Sequence, residues 1–113
     1  MAFPGSYNFS YYRGDTFQFV VRPKTASGSA FDLAGYTAAF TIATTRGSTG
    51  IQTPCTAVVN ASTDIVTCTI TPAVGRTLVT GSYVYDVQIT NGIEIYTILN
   101  GQLTVTDDIT GAV

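Results

Sequence analysis

Residues 81–99 read GSYVYDVQITNGIEIYTIL, and the fold turns on how they are read. Tyr83, Tyr85, Val87 and Ile89 alternate with Val84, Asp86 and Gln88. A period of two puts the first four on one face of a strand spanning 82–90. Asn91-Gly92 follows, the strongest short hairpin signal, because both central residues of a type I′ turn need positive φ. A two-residue turn there pairs Val87 with Tyr96, Tyr85 with Ile98 and Val84 with Leu99, with a return strand over 93–99. At Asn100-Gly101 the alternation reverses, since Leu103 and Val105 have the opposite parity to Ile98. A bulge inside one long bent strand explains this, and a second Asn-Gly hairpin is the alternative. Just upstream, Leu78, Gly81 and Tyr83 carry the spacing of a tyrosine corner. There a phenol pins the crossover between two sheets, so Tyr83 is expected to be a structural tyrosine. An ordinary buried tyrosine after a turn is the other reading.

Working outward, residues 52–71 read as a second hairpin, with strands 53–59 and 64–70 around Asn60-Ala61-Ser62-Thr63. A symmetric register pairs Val59 with Asp64, Ala57 with Val66, and Cys55 with Cys68. Pro72 to Val79 breaks the alternation and reads as one short helical turn. Toward the N-terminus, strands are expected over 6–12, 16–22 and 36–44, separated by the Arg13-Gly14-Asp15 turn and a small-residue loop from Lys24 to Ala30. Arg46 to Gly50 is read as a loop. Short β-rich segments punctuated by Gly, Pro, Asn and Asp predict an all-β domain. The expected architecture is an antiparallel immunoglobulin-like β-sandwich of seven or eight strands with one short helical turn. Residues 1–12 form an aromatic arm and first strand, 13–107 the sandwich, and 108–113 a polar tail.

Composition narrows the function. The 113 residues make one domain with a core of useful size. Five Lys+Arg against seven Asp+Glu leave no basic surface for nucleic acid. No apolar run is long enough for a membrane helix, and Met1 to Ser10 has no signal-peptide pattern. There is no histidine and Glu94 is the only glutamate, so a Ser-His-Asp or Cys-His centre cannot be assembled. No catalytic residue, cofactor or metal is expected. Charged residues are only 11% of the chain, against about 25% in an average soluble domain. That deficit suggests a surface largely covered by neighbours.

The remaining motifs have bland readings. Arg13-Gly14-Asp15 is taken as a turn rather than an adhesion motif, and the sequons at Asn8 and Asn60 as chance. Asp107-Asp108 lacks the supporting ligands of a calcium loop. Cys55 and Cys68 form a candidate cross-strand thiol pair, expected reduced in the absence of an export signal. If Tyr96 and Ile98 face the core, then Ile93, Ile95 and Leu99 point outward beside Val84. With Phe3 and Tyr12 of the aromatic arm, these make the candidate interface.

The run Arg13-Gly14-Asp15-Thr16-Phe17, the turn Phe31-Asp32-Leu33-Ala34-Gly35-Tyr36, Gly81-Ser82-Tyr83-Val84-Tyr85-Asp86-Val87 and the closing Thr97 to Val105 with Asp108-Ile109-Thr110 resemble small tailed-bacteriophage virion proteins with Ig-like domains. A "GDT" strand start, a "DLTG" turn and a "G-x-Y-x-Y-D" strand recur in that group. This chain departs from the pattern in Ala34, where Thr is usual, and in its two cysteines. The resemblance covers residues 13–110 and implies a non-enzymatic tail, baseplate or fibre-attachment component made in the host bacterial cytoplasm and incorporated in the virion. Such a part acts by self-association as a homo-oligomer and by docking to another virion structural protein, with neither nucleic acid nor membrane as partner. A capsid decoration protein is one alternative. A carbohydrate-binding, adhesin-like module contacting the host surface is the other.

Overall fold

A computed structural model describes residues 5–45 and 52–107. Among them are eight strands and one short helix: β1 Gly5–Ser6, β2 Phe9–Tyr12, β3 Phe17–Val21, β4 Thr37–Ala43, β5 Gln52–Asn60, β6 Ile65–Ile70, α1 Pro72–Gly75, β7 Gly81–Thr90 and β8 Ile95–Thr106. The all-β class follows directly from the period-two patterning. The inward positions of β7, Tyr83, Tyr85, Val87 and Ile89, are buried, as are Val66, Cys68 and Ile70 of β6 and Phe40 and Ile42 of β4. Burying one such side chain contributes roughly 1.5–3 kcal/mol before conformational entropy is counted.

The strands form a hydrogen-bonded path in the order β1-β8-β7-β4-β5-β6-β3, with β2 also on β8. β5 carries the path around the core. Its first part, up to Cys55, pairs with β4, and its second part, from Thr56, pairs with β6. The result is a curled half-barrel of mixed strand direction, in place of the wholly antiparallel arrangement expected. β1 and β2 run parallel to β8, with Gly5 opposite Leu99 and Tyr11 opposite Val105. The physical reason is that Arg13 to Thr16 does not close a hairpin. It crosses from β2, at one end of the path, to β3 at the other. Rings close the seam between those ends: Phe9 lies 5.2 Å from Phe17 and 4.6 Å from Phe19.

Two registers differ from expectation. In the β5–β6 hairpin Asn60 pairs with Ile65, Val59 with Val66 and Ala57 with Cys68. Asp64 leaves the strand with φ 54° and its carboxylate accepts the Leu33 amide at 3.2 Å, so the four-residue loop moves on by one to 61–64 and the register moves by two residues. In the β7–β8 hairpin Thr90 pairs with Ile95, leaving a four-residue loop. Asn91 holds it open, its Oδ1 accepting the amides of Ile93 at 3.0 Å and Glu94 at 2.8 Å. A bulge then falls between the Gln88–Thr97 and Val87–Leu99 pairs, earlier than Asn100-Gly101.

α1 joins the two halves of the path. Thr71 caps it, accepting the Val74 amide at 3.3 Å, and Pro72 sits at its start, where its missing N–H costs nothing. Tyr83 donates its hydroxyl to the Val79 carbonyl at 2.7 Å, tying the crossover to the start of β7.

Candidate interaction surface

The N-terminal segment lies along the chain's own last strand. Tyr11 is buried, and its hydroxyl donates to the Asp15 carbonyl at 2.7 Å. The Tyr7 amide donates to the Asn100 carbonyl at 3.0 Å, and Tyr85 donates its hydroxyl to the Tyr7 carbonyl at 2.6 Å. Arg13 is turned inward. Its Nε donates to the Leu78 carbonyl at 2.7 Å and its Nη2 to the Arg76 carbonyl at 2.8 Å. The arginine of the Arg13-Gly14-Asp15 triplet is therefore engaged with the crossover.

The expected stripe of Val84, Ile93, Ile95 and Leu99 does not form. Phe3 lies outside the described residues, as do Arg46 to Gly50, Asp108 and the 108–113 tail. Tyr12 is exposed at the end of β2, opposite Thr106. Val84 opposes Gln102, not Leu99, and sits half-buried in a polar recess of about 240 Å³ with Thr41, Gln52, Asp86 and Gln88. Leu99 opposes the buried Val87 and packs against the core. The bulge ahead of Leu99 is the cause, since one extra residue moves a side chain to the other face. Ile93 and Ile95 remain together at the hairpin tip, 91% and 67% exposed. The tip is braced: besides the Asn91 contacts, the Gly92 amide donates to Thr90 Oγ1 at 3.1 Å and Tyr96 donates its hydroxyl to Glu94 at 2.6 Å.

The sequence reading missed a second apolar feature. Where the ends of the curled sheet meet, Tyr7, Phe9, Phe19, Val20, Val21, Arg22 and Leu99 line a recess of about 290 Å³. Phe17, Phe19 and Val21 are half-buried for the same reason, because β3 pairs on one side only. The aromatic alternation of residues 7–11 and 17–21 was the available signal. It did not show that the two segments would face each other across an unpaired seam.

The cysteines are both free, and the observed register separates them. Cys68 lies opposite Ala57 and Phe19, while Cys55 lies opposite Phe40. Burial pushes the Cys55 thiol up to about 11 and the Cys68 thiol up to about 12, the latter with a smaller contribution from Cys55. Such thiols are poor nucleophiles at neutral pH. The unfolded chain gives up these protons near pH 9.0, while the folded chain keeps them to about 11 and 12. Stability is therefore fully present below pH 9 and falls as pH rises through that window. Urea midpoints measured from pH 8 to 11 are expected to fall steadily, and Cys68→Ala to flatten the slope. Equal slopes for both chains would remove Cys68 as a cause.

No family model and no curated protein matches this chain. It is similar to the crystal structure of InlP from Listeria monocytogenes, with 15% identity and a TM-score of 0.49 over 90% of this chain. The match spans 27% of that chain's length. Among the described residues no group of three or more Cys, Asp or Glu side chains is placed to hold a metal ion, and no helix is long and apolar enough to cross a membrane.

Proposed function

We propose that this domain is a non-enzymatic structural component of a tailed-phage virion, working by self-association and docking. The observation that carries the reading is the braced hairpin tip, which holds Ile93 and Ile95 in solvent on a domain with few charges. A lone exposed isoleucine is ordinary, but two at a rigid tip form an anchor of the kind that docking surfaces use. The order of recurring motifs through residues 13–110 supports placement in a phage particle. The finer fold reading is an Ig-like sandwich. It is supported by the Tyr83–Val79 contact, the first strands lying on the last, and β5 bending from one half of the path to the other.

The test uses particles made in the natural host. Mass spectrometry of separated heads and tails is expected to find the chain in the tail fraction. Its presence on heads would assign it to decoration instead, and its absence from particles would overturn the reading. Ile95→Lys is expected to cut incorporation at least tenfold while changing stability by no more than about 0.5 kcal/mol. Wild-type incorporation of this variant would remove the tip from the docking surface.

The polar recess beside Val84 favours the carbohydrate-binding reading as the second choice. Saturable binding on a glycan array that is lost in Gln88→Ala would replace the structural assignment.

A further inference from the structure

Two surface features of this chain are complementary in apolar character and charge. One is the projecting hairpin tip, with Ile93 at 91% exposure flanked by Glu94, the only glutamate in the chain. The other is the apolar recess at the open seam, rimmed by Arg22. Its volume of about 290 Å³ exceeds that of one isoleucine side chain. Arg22 is exposed and makes no ion pair among the described residues, the pair there being Arg13 with Asp107. Glu94 is exposed and receives one hydrogen bond, from Tyr96, which leaves its other carboxylate oxygen open to a cation.

We propose that the β7–β8 hairpin tip of one copy inserts Ile93 into the seam recess of a second copy, with Glu94 pairing to Arg22 across the contact. This deepens the self-association reading above and rests on it. Tip and recess are different parts of the same surface, so the contact is heterologous: each copy offers one knob and one hole. Repetition closes a ring if the rotation allows it and otherwise extends a filament. The apolar insertion supplies affinity, while the ion pair sets orientation and makes association weaken with salt. The recess exists because β2 and β3 face each other without ladder hydrogen bonds, and the tip stands free because Asn91 holds a four-residue loop.

The experiment is sedimentation velocity of the full chain from micromolar to about 1 mM, beyond which a contact has little standard free energy. The wild type is expected to associate, and 0.5 M salt to weaken it. Arg22→Glu and Glu94→Arg are each expected to weaken association tenfold or more, because each puts like charges together. The double variant Arg22→Glu/Glu94→Arg restores opposite charges at every contact, whatever the number of copies in a ring, and is expected to recover wild-type mass. Both positions are on the surface, and unchanged thermal melts would show that folding is intact. A wild type that stays monomeric throughout overturns self-association and this contact together. A wild type that associates while both variants match it leaves self-association standing and overturns this contact. Weakened single variants that the double variant does not rescue also overturn it.

Discussion

Gly101→Val is expected to destabilise the domain by about 3 kcal/mol and to detach its N-terminal strands. A β-carbon at Gly101 would overlap the Tyr7 carbonyl. That carbonyl is the acceptor for the Tyr85 hydroxyl, and Tyr85 is buried at the centre of the core. A side chain at residue 101 must therefore push the Tyr7–Asn8 link off β8. It then breaks the Tyr7–Asn100 and Asn8–Gln102 hydrogen bonds and leaves a buried phenol without its acceptor. An unsatisfied buried hydroxyl alone costs about 1–3 kcal/mol. Tyr85→Phe removes the hydroxyl without the clash and is expected to cost only about 1 kcal/mol. Urea unfolding gives the totals. Hydrogen exchange locates the damage, with lost protection concentrated in residues 5–12 for Gly101→Val. An unchanged midpoint would mean that the close approach at Gly101 does not hold the segment in place.

Arg13→Ala is expected to cost a similar amount, about 3 kcal/mol, from two charge-assisted hydrogen bonds at a partly buried guanidinium. The lost bonds run to the carbonyls of Leu78 and Arg76, which end the short helix and begin the approach to β7. They tie the β2–β3 crossover to the α1–β7 crossover, two connections at the same end of the molecule. The Asp107 contact is different in kind. At 3.9 Å, with the carboxylate side chain 63% exposed, it contributes little. Asp107→Asn is therefore expected to stay within about 0.5 kcal/mol of wild type. Arg13→Lys recovers only part of the loss, because an ammonium cannot present the planar fork that reaches both carbonyls. Thermal or urea melts of the three variants decide this. A large effect of Asp107→Asn would move the weight from the carbonyls to the ion pair.

Much of the strand pattern was legible because it depends only on alternation and on turn chemistry. The inward set Tyr83, Tyr85, Val87 and Ile89 is buried as the period of two requires. The short helix starts at Pro72, where the alternation stops. The parity switch late in β8 was visible from Ile98 against Leu103 and Val105, and all three are buried. Its position was not visible. Asn91 accepts two amides with its side chain, so the turn is wider than Asn-Gly alone implies, and the bulge moves to compensate. The expected stripe breaks at that point. Val84 and Leu99 share a face in the narrow register and lie on opposite faces in the observed one.

By itself, then, the sequence determined the β class, the faces of the central strands, the helical interruption and the absence of histidine chemistry. These are properties of near neighbours along the chain or of composition, and period-two burial does not depend on which strand lies alongside. Tertiary structure alone decided the rest. It laid the first strands parallel on β8, turned Arg13 onto two distant carbonyls, and drew Asp64 out of its strand to meet the Leu33 amide. It also opened a recess where the ends of the sheet meet. Each of these is a contact between residues far apart in the chain, and its free energy exists only once the sheet has curled to bring them together.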